Sequence, residues 1–502
     1  MQVCTADFVV KPDEPPRKEY FKMTNDKKKM ADRMQTFSND DLTLIHESSL
    51  RILSRTGVDF NNESVAALFK HRGFKTSGTK VFFREKEIIN ALQSTISEFK
   101  LHARNPEYTV DIGNENFVFA PTGGAPNIAD AKGNQRPATL ADYRKCCKLV
   151  QTSDQLDVGG SVMVQPMDIP GVTAPLDLML SYITLCEKPI FASSGVGTAT
   201  RNTIEMAGIL FGGKEKLEQR PVMTAVVNVM SPLQYAEEQA KVIVEMARVR
   251  QPVVITNMIQ AGASGPVSLP SLLTLGNAEI LAGVVLTQIV NPGTPVVYGS
   301  TSAPMDMRTM VSAVGAPETI RIASATIQMA RFYNLPCRTG GGLTDAHLPD
   351  AQALSEGTLM LSTVVRNGAN YIYHACGQMG SYISMSFEKW LIDEEVCRRV
   401  RQMIEPMEIT AKTIDIDTIQ QVGIGGGYLT HPKTFEQFRS LSSSGIFNRK
   451  GYSKWKTEGA RRIEQVASEK LIQRLEEYQK PPLDQGIEDR LHEYVKLAKA
   501  GL

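Results

Sequence analysis

The residues best suited to chemistry lie in two short polar segments, residues 338–347 and 373–377. Asp345 and His347 stand two positions apart in the first segment, and His374 lies in the second. A catalytic zinc ion usually needs three protein ligands, and no third ligand is obvious beside the two histidines, although Asp345 and His347 could chelate an ion. We therefore predict hydrogen-bonding roles, with Asp345 and His347 as catalytic residues and no metal site.

A substrate could be bound by an arginine and several aromatic residues. Arg308 could hold a substrate carboxylate in a bidentate fork, or it could pair with Asp306 across a loop. A quaternary ammonium has no N–H to donate, so proteins hold it with ring faces. Each tyrosine could equally be packed in the ordinary way with its hydroxyl satisfied. The predicted substrate-binding residues are Arg308, Tyr108, Phe119, Tyr298 and Tyr373.

Glycine-rich turns could admit another molecule close to the backbone. A phosphate loop is excluded as a motif, because no Lys-[Ser/Thr] pair follows the glycines at residues 340–342 or 425–427. Close approach of a large partner molecule is the remaining interpretation. The predicted docking glycines are Gly123, Gly124, Gly340, Gly341 and Gly342.

The elements that must position these residues are eight short β-rich runs that alternate with helical segments. The runs cover residues 117–120, 158–164, 190–193, 222–229, 253–257, 296–299, 337–339 and 371–374. About eight alternations over roughly 280 residues predict an α/β fold of the (β/α)₈ TIM barrel type. A doubly wound sheet competes with it, because alternation alone does not show closure. In a barrel, the site lies where the strands end.

Changes in pattern divide the chain into four parts. We expect a flexible leader over residues 1–37, an N-terminal helical region over 38–116, the barrel over 117–408 and a C-terminal helical extension packed on the barrel over 409–502. Ser38 supplies an N-cap, with acidic residues in the first turn of the helix that follows.

Composition excludes several classes of protein. A net charge of +1 shows no basic excess for a nucleic acid. No apolar run reaches the roughly 18 residues of a membrane helix, and the best candidate, residues 280–290, is short. Seven cysteines without CxxC spacing indicate a reducing compartment. We expect a cytoplasmic protein that binds neither nucleic acid nor membrane and forms a homo-oligomer.

Several motifs, in order along the chain, resemble one enzyme family. Ala-Arg-Asn-Pro at residues 103–106, Ala-Pro-Thr-Gly-Gly-Ala-Pro at 120–126 and Arg-Pro-Ala-Thr-Leu-Ala-Asp at 136–142 are similar to the trimethylamine methyltransferase superfamily. The resemblance covers residues 38 to about 490 and includes Gly-Ala-Pro-Glu at 315–318 and Leu-Thr-His at 429–431. It implies a barrel methyltransferase that delivers a methyl group from an amine to the Co(I) corrinoid of a cognate corrinoid-binding protein.

One departure from the family pattern indicates the branch. The trimethylamine enzymes carry a pyrrolysine in the barrel mouth, and this chain contains only the standard twenty residues. The resemblance therefore implies a quaternary amine as substrate, glycine betaine first, with proline betaine, carnitine or γ-butyrobetaine as alternatives. It implies no tightly bound cofactor, since the corrinoid (cobalamin) is carried by the partner. A metal-dependent barrel lyase or hydrolase and a non-catalytic betaine-binding barrel stay open.

Overall fold

An eight-stranded parallel sheet forms the centre of the computed structural model, which describes residues 35–160, 162–192, 198–441 and 445–501. The order of hydrogen-bonded neighbours is β1-β8-β7-β6-β5-β4-β3-β2, so the chain moves one strand along the sheet at each step after β2. All eight predicted strands are confirmed. They are β1 (Val118–Phe119), β2 (Gly159–Gly160), β3 (Ile190–Ala192), β4 (Met223–Val229), β5 (Val253–Asn257), β6 (Val296–Ser300), β7 (Cys337–Gly340) and β8 (Tyr371–Tyr373).

The sheet is curled, and its two edge strands approach each other. The backbone N–H groups of Asp157 and Val158, just before β2, donate to the Phe119 carbonyl of β1 at 2.9 and 3.4 Å. The Phe119 N–H in turn donates to the Asp157 carboxylate at 2.7 Å. Within the described ranges, no paired ladder joins β1 to β2.

The predicted helices between the strands are also confirmed, and two of them begin at strong caps. Thr139 and Asp142 form a capping box, and the Asp350 carboxylate accepts from the N–H groups of Gln352 and Ala353. The helices are α1 (Leu140–Thr152), α2 (Ala174–Leu185), α3 (Ala199–Phe211), α4 (Glu237–Arg248), α5 (Leu269–Val290), α6 (Pro317–Phe332), α7 (Ala351–Asn367) and α8 (Phe387–Ile404).

Helix α5 is longer than the apolar run that the sequence suggested. In the described part of the chain it is the one helix long and apolar enough, by length and composition, to cross a membrane. Most of its residues are buried inside the protein, as they are in the core helices of proteins that span no membrane.

The inside of the curled sheet is filled by every second residue of the strands. Val226, Val254, Val297 and Tyr371 belong to one buried cluster, while their neighbours in the strands pack outward against the helices. This alternation follows from the two-residue period of a strand.

A hairpin closes the amino-terminal end of this interior. Its strands, Glu98–Leu101 and Val110–Gly113, pair antiparallel and add Phe99, Leu101 and Ile112 to the inner cluster. His102 N–H donates to the Pro221 carbonyl, which lies just before β4 begins. Among the described residues, the hairpin therefore leaves the carboxyl ends of the strands as the open end of the interior, and we call this end the mouth.

The N-terminal region is less helical than predicted. Two antiparallel hairpins interrupt its helices, the first turning at Gly78, where a positive φ of 60° suits glycine. The helices are Asn39–Arg55, Glu63–His71 and Glu85–Ser94, and the further strands are Val58–Asp59, Lys75–Ser77 and Lys80–Phe82. The leader predicted for residues 1–37 lies almost entirely outside the described residues, which begin at residue 35.

The C-terminal region contains short helices followed by two longer ones. Ile463–Glu476 packs along α8, where Arg474 pairs with Glu394 at 2.5 Å. The last helix, Gln485–Ala500, is joined to α2 by the pair Lys499–Asp177 at 2.6 Å. The short helices of this region are Ala411–Ile414, Ile416–Val422, Pro432–Gln437 and Tyr452–Thr457. One further helix, Lys214–Gln219, lies between α3 and β4.

Short strands in the loops complete the fold at the mouth. Ala303–Asp306 pairs with Val311–Ser312 and with Gln260–Ala261, and Gln378–Met379 pairs with Ser384–Met385. The latter hairpin continues into a sheet with Asn127–Ala129 and Gln135–Pro137.

A buried ion pair on α8 holds the loops that follow β7 and β8. Lys389 Nζ lies 2.6 Å from the Asp393 carboxylate and donates to the Gly342 carbonyl at 2.9 Å. Asp393 also accepts from the Gly377 N–H at 2.8 Å. Burial raises the pKa of Asp393, and the charge of Lys389 opposes that rise.

Lys389→Met should be strongly destabilising, because it leaves the Asp393 charge buried and unpaired. We expect a loss of about 3–5 kcal/mol in the free energy of unfolding, measured by urea denaturation. Lys389→Met with Asp393→Leu should lose less than the single variant. Lys241→Met, which breaks exposed pairs with Glu237 and Glu238, should change little. Equal losses for Lys389→Met and Lys241→Met would contradict the anchoring role.

Candidate functional site

The carboxyl ends of β7 and β8 bring a cation and two rings together at the mouth. Arg338 and Tyr371 are partners in the register of these strands, as are Gly340 and Tyr373. The Arg338 guanidinium lies 5.1 Å from the centre of the Tyr373 ring, and the Tyr373 and His374 ring centres are 4.0 Å apart. These three side chains form the core of the candidate site.

Arg338 is a buried cation that has no acidic partner in the part of the chain that the structure describes. Its side chain is inside the curled sheet, where Nη1 lies 3.4 Å from Thr256 Oγ1 and Nε has no hydrogen-bond partner among the described residues. Burial lowers the pKa of the guanidinium, and the nearby groups that oppose this shift are tyrosine and cysteine side chains. Buried charges are normally paired, so the site lacks one negatively charged group.

His374 is held in one orientation and kept neutral. Its Nδ1 lies 3.2 Å from Gln378 Oε1, which also accepts from Thr122 Oγ1 at 2.5 Å. Gln378 Nε2 donates to the Ser384 carbonyl, so Oε1 is the acceptor and His374 Nδ1 carries the hydrogen. Burial, and then the charge of Arg338, hold the pKa of His374 well below its usual value.

Tyr382 adds a third aromatic ring to the group. It lies on the loop between Gln378–Met379 and Ser384–Met385, and its ring centre is 5.1 Å from that of His374. Burial raises the pKa of Tyr382 to about 12, and Arg338 opposes this rise. Arg338 is thus surrounded by aromatic side chains.

The interior is open to solvent on the side opposite these rings. Asn228 lies within β4, yet its side chain is exposed while Val227 and Val229 are buried. The strand register carries Asn228 to Thr256, then to Gly299 and then to Arg338. Gly299 has no side chain to separate Thr256 from Arg338. The interior at the mouth, which we call the chamber, therefore has a polar row along its wall.

Asp345 and His347, the predicted catalytic pair, make different contacts. The Asp345 carboxylate accepts from the N–H groups of Val314 and Gly315, at 2.9 and 3.0 Å, and from Ser381 Oγ at 2.7 Å. It thereby ties together the loops after β6, β7 and β8. His347 is exposed next to Gly380, and no hydrogen bond joins it to Asp345 within the described residues.

The predicted docking glycines are mostly buried. A Cβ on Gly123 would lie 1.7 Å from the Tyr373 hydroxyl, and one on Gly342 would lie 2.6 Å from the Ala375 carbonyl. Gly340 and Gly341 are similarly packed against neighbouring side chains. These glycines allow β1, β7 and β8 to pack closely. Only Gly124, with a positive φ of 81° and open space around it, is exposed.

The other predicted substrate-binding residues lie away from the chamber. Arg308 is exposed in the turn after Ala303–Asp306. The Tyr298 hydroxyl donates to Asn277 of α5, and Phe119 packs against Arg401 of α8, so both rings face outward.

Tyr108 lies at the opposite end of the sheet, 5.3 Å from Lys188 Nζ. A position near a strand end does not reveal which face a side chain takes, because adjacent residues point to opposite faces. Tyr373 is the predicted aromatic residue that does lie at the mouth.

Exposed methionines line the rim of the mouth, and the sequence analysis did not single them out. They follow four strands, β2, β4, β5 and β6, and each has more than a third of its side chain exposed: Met167, Met230, Met258, Met307 and Met310. Methionine is flexible and polarizable, which suits an adaptable binding surface.

A buried carboxyl group on α5 positions the loops that carry two of these methionines. Glu279 accepts from the Leu233 N–H and Ser231 Oγ, both at 2.9 Å, and lies 3.4 Å from Asn257 Nδ2. Asn257 Oδ1 accepts in turn from Ser302 Oγ. Burial raises the pKa of Glu279 from 4.5 to about 7, although these hydrogen bonds lower it.

Arg338, to which the sequence analysis assigned no role, did leave a signal in the sequence. Arg338 is a charged residue inside a strand of a parallel sheet, whose faces are both covered. Such a residue must point either to a partner or to a ligand. The described residues contain no group of three or more His, Cys, Asp or Glu side chains that could hold a metal ion.

An α/β chain with a curled parallel sheet and a polar chamber at the strand ends has the architecture of an enzyme, and comparison with known proteins gives the class. The model of the trimethylamine methyltransferase (MTTB) family matches residues 14–502. The chain belongs to this family and is a methyltransferase.

The chain is similar over most of its length to three relatives. The glycine betaine methyltransferase of Desulfitobacterium hafniense (strain Y51) is 36% identical over 91% of this chain and 96% of its own. The trimethylamine methyltransferase of D. hafniense (strain DSM 10664 / DCB-2) is 31% identical over 92% and 93%. The L-carnitine:corrinoid methyltransferase of Eubacterium limosum is 31% identical over 89% and 93%.

Glu279 should make stability depend on pH. Its carboxyl group is protonated below about pH 7 in the folded chain but only below about pH 4.5 in the unfolded chain. Stability is therefore full below the lower value and falls as the pH rises through the upper one. The wild type should lose about 3 kcal/mol across this window that Glu279→Gln does not lose.

The measurement is the melting temperature of both proteins near pH 5 and near pH 8. The melting temperature of the wild type, relative to that of Glu279→Gln, should be lower near pH 8 than near pH 5. A difference between the two proteins that is the same at both pH values would show that Glu279 does not titrate as described.

Proposed function

We propose that this enzyme moves a methyl group from a quaternary amine that carries a carboxylate, glycine betaine first, to the Co(I) corrinoid of a partner protein. The family and the relatives named for glycine betaine and L-carnitine support the reaction class. The observation that carries the substrate assignment is Arg338, a buried cation without an acidic partner among the described residues.

A betaine supplies what the chamber lacks. Its carboxylate would pair with the Arg338 guanidinium, whose planar geometry fits two oxygens at once. A quaternary amine without a carboxylate, such as choline, would leave Arg338 unpaired and would add a second positive charge beside it. Buried charges left unpaired are costly, so the same residue selects for betaines and against choline.

The methylated end of the substrate needs a surface that accepts a cation without hydrogen bonds. The rings of Tyr373 and Tyr382 lie next to Arg338 and offer such faces. The low pKa of His374 keeps its ring neutral, so it does not repel the ammonium group. We place the substrate between these rings and the open side of the chamber at Asn228.

The reaction requires little acid–base catalysis from the protein. When the methyl group leaves, the C–N electron pair stays on nitrogen and the product is a neutral tertiary amine, so no acid must protonate it. The corrinoid supplies the electron pair for the new bond. The protein's task is to orient the methyl group toward the mouth and to exclude water.

We assign supporting roles to the predicted catalytic pair. Asp345 positions the loops after β6, β7 and β8 through its three hydrogen bonds. His347 stands exposed on the outer side of the same loops, where it would meet a docked partner rather than the substrate.

The corrinoid partner would dock on the rim. The exposed methionines together with Gly124 offer an apolar, deformable surface around the mouth. A large planar group could cover the mouth there. This docking keeps the corrinoid on the partner, with no tightly bound cofactor in this chain.

We also propose that the curled sheet closes as a (β/α)₈ barrel over residues 117–408, with residues 38–116 and 409–502 as packed extensions. The hydrogen bonds from Asp157 and Val158 to Phe119 support closure between β1 and β2. Amide hydrogen exchange tests it: the N–H groups of Asp157 and Val158 should be protected as well as those within β4.

Turnover with defined substrates tests the reaction. The enzyme, a Co(I) corrinoid protein and glycine betaine should give dimethylglycine and the absorbance change that accompanies corrinoid methylation. Choline and trimethylamine should be poor substrates by comparison. Betaine binding without product would leave the chain a binding protein and reject the proposal.

Arg338→Gln should lower kcat/KM for glycine betaine by about 100-fold or more, because the substrate carboxylate loses its buried partner. Binding of choline should weaken far less, and Arg338→Lys should retain part of the activity because it keeps the charge but not the fork. Arg308→Gln is the matched control on an exposed arginine and should behave as wild type. A betaine-selective loss in Arg308→Gln alone would move the carboxylate site to that residue.

Met258→Asp combined with Met307→Asp should weaken partner docking without touching the chamber. We expect kcat/KM for the corrinoid protein to fall by about tenfold or more, since charges would be desolvated at the centre of the interface. Methyl transfer to free Co(I) cobalamin should stay near wild type. Leu497→Asp, on the far C-terminal helix, is the control. Parallel losses with both acceptors would argue against a docking role.

A further inference from the structure

A segment near the C-terminus exposes an unusual amount of apolar surface. Residues 405–441, which we call the arm, lie between the end of α8 and the Tyr452–Thr457 helix. Thr418 is their only buried residue. Eleven large apolar side chains of the arm are exposed: Met407, Ile409, Ile414, Ile416, Ile419, Ile424, Tyr428, Leu429, Phe435, Phe438 and Leu441.

This area is larger than a monomer usually leaves in water. The exposed fractions correspond to on the order of 1,000 Å² of apolar surface, whereas the largest patch on a typical monomer is about 300–600 Å². Each partner in a standard protein interface contributes about 800 Å². The arm therefore has enough apolar surface for a stable interface.

The arm has no internal core that could explain its folded conformation. Its helices, Ala411–Ile414, Ile416–Val422 and Pro432–Gln437, contain four, seven and six residues. Isolated helices shorter than about 12 residues are marginal in water. The glycine-rich turn at residues 423–427 carries Ile424 fully exposed and is followed by Leu429, which is 83% exposed. A second surface must stabilise these elements.

The position of the arm argues against the corrinoid partner as that surface. Helix α8 begins after the mouth loops and ends at Ile404, near Arg401, which pairs with Asp157 at 2.6 Å and stacks on Phe119. Asp157 precedes β2, so the arm leaves the body near the amino-terminal ends of the strands. A partner that must reach the mouth would approach from the other end.

A groove on the side of the same chain offers an apolar floor and a basic rim to the apolar, slightly acidic arm. It has a volume of about 750 Å³ and an apolar floor that includes Leu354, Phe447, Trp455 and Ile463. Its rim carries four basic residues, Arg449, Lys450, Arg461 and Lys470, and one acidic residue, Glu458. Lys450 pairs with Glu458 and Arg461 pairs with Glu469, so Arg449 and Lys470 are the cations on which the charge argument depends. The arm has five acidic and three basic residues, a net charge of −2. No arm residue lines the groove of its own chain.

We propose that the arm binds the groove of a second copy of this chain, so that two copies exchange arms about a two-fold axis. Such an exchange buries both apolar surfaces in one symmetric contact and leaves both mouths free. The low charge of the arm gives no reason to expect an anionic lipid surface as its occupant. This inference does not depend on the identity of the substrate.

The test is the oligomeric state of the full chain by sedimentation velocity and light scattering. The wild type should be a dimer or a larger assembly. Ile424→Asp combined with Leu429→Asp should weaken association by at least about tenfold, because two charges would enter the apolar contact. Leu359→Asp with Leu497→Asp, two exposed leucines outside the arm and the groove, should associate as the wild type does. Equal melting temperatures of the separated monomers would show that folding is intact.

A charge reversal identifies the receiving surface. Arg449→Glu with Lys470→Glu should also dissociate the assembly, and Leu429→Cys should form cross-links to Trp455→Cys between copies in mixtures of the two variants. A monomeric wild type would overturn the proposal, as would an arm variant that stays assembled. A monomeric wild type whose arm variant loses only methylation of the corrinoid protein would assign the arm to that partner instead. Assembly that needs the arm but tolerates both charge reversals and gives no cross-link would overturn the groove as its seat.

Discussion

The loops around the mouth of this enzyme are fixed by hydrogen bonds to acidic side chains. Asp345, Glu279 and Asp393 each accept backbone N–H groups from loops that follow different strands. Loops are otherwise the most mobile parts of a fold, and these carboxylates use hydrogen bonds to fix them relative to the rigid sheet. These acidic groups therefore have structural roles.

This use of the acidic residues decides the electrostatics of the chamber. The acids described above face the loops or α8, while the chamber holds Arg338 with a neutral His374 and tyrosine rings. A positive interior lined with aromatic faces fits a zwitterion better than it fits either a simple cation or a simple anion. Under the proposed reaction, the site requires no strong acid or base, because the leaving group needs no proton.

Much of the fold could be predicted from the sequence, because strands and helices leave local signals. β5 was predicted at its observed bounds, since an apolar run follows Pro252 and ends in polar residues. Helices were predicted where α1 and α7 lie, and Thr139 and Asp350 cap them. The short strands in the N-terminal region were missed because each contains only two to four residues.

The site could be predicted only in part, because the face of a strand is not a local property. Tyr298 and Arg338 both lie near strand ends, yet the first points to α5 and the second into the chamber. Asp345 was recognised as important, but its hydrogen bonds to two other loops depend on the folded arrangement. The exposed methionines are scattered over more than a hundred residues and become a surface only when the strands are placed side by side.

The hairpin that fills the amino-terminal end of the sheet constrains the order in which the amine and the corrinoid protein bind. Within the described residues it leaves the carboxyl ends of the strands as the opening of the chamber, and a corrinoid protein docked on the rim would cover that opening. Under the proposed reaction, the amine must enter before the partner docks, and the demethylated product can leave only after the partner departs. Catalysis would then follow a compulsory sequence of binding and release. Phe99, Leu101 and Ile112 would impose this sequence, because they fill the end of the interior that lies far from the reacting atoms.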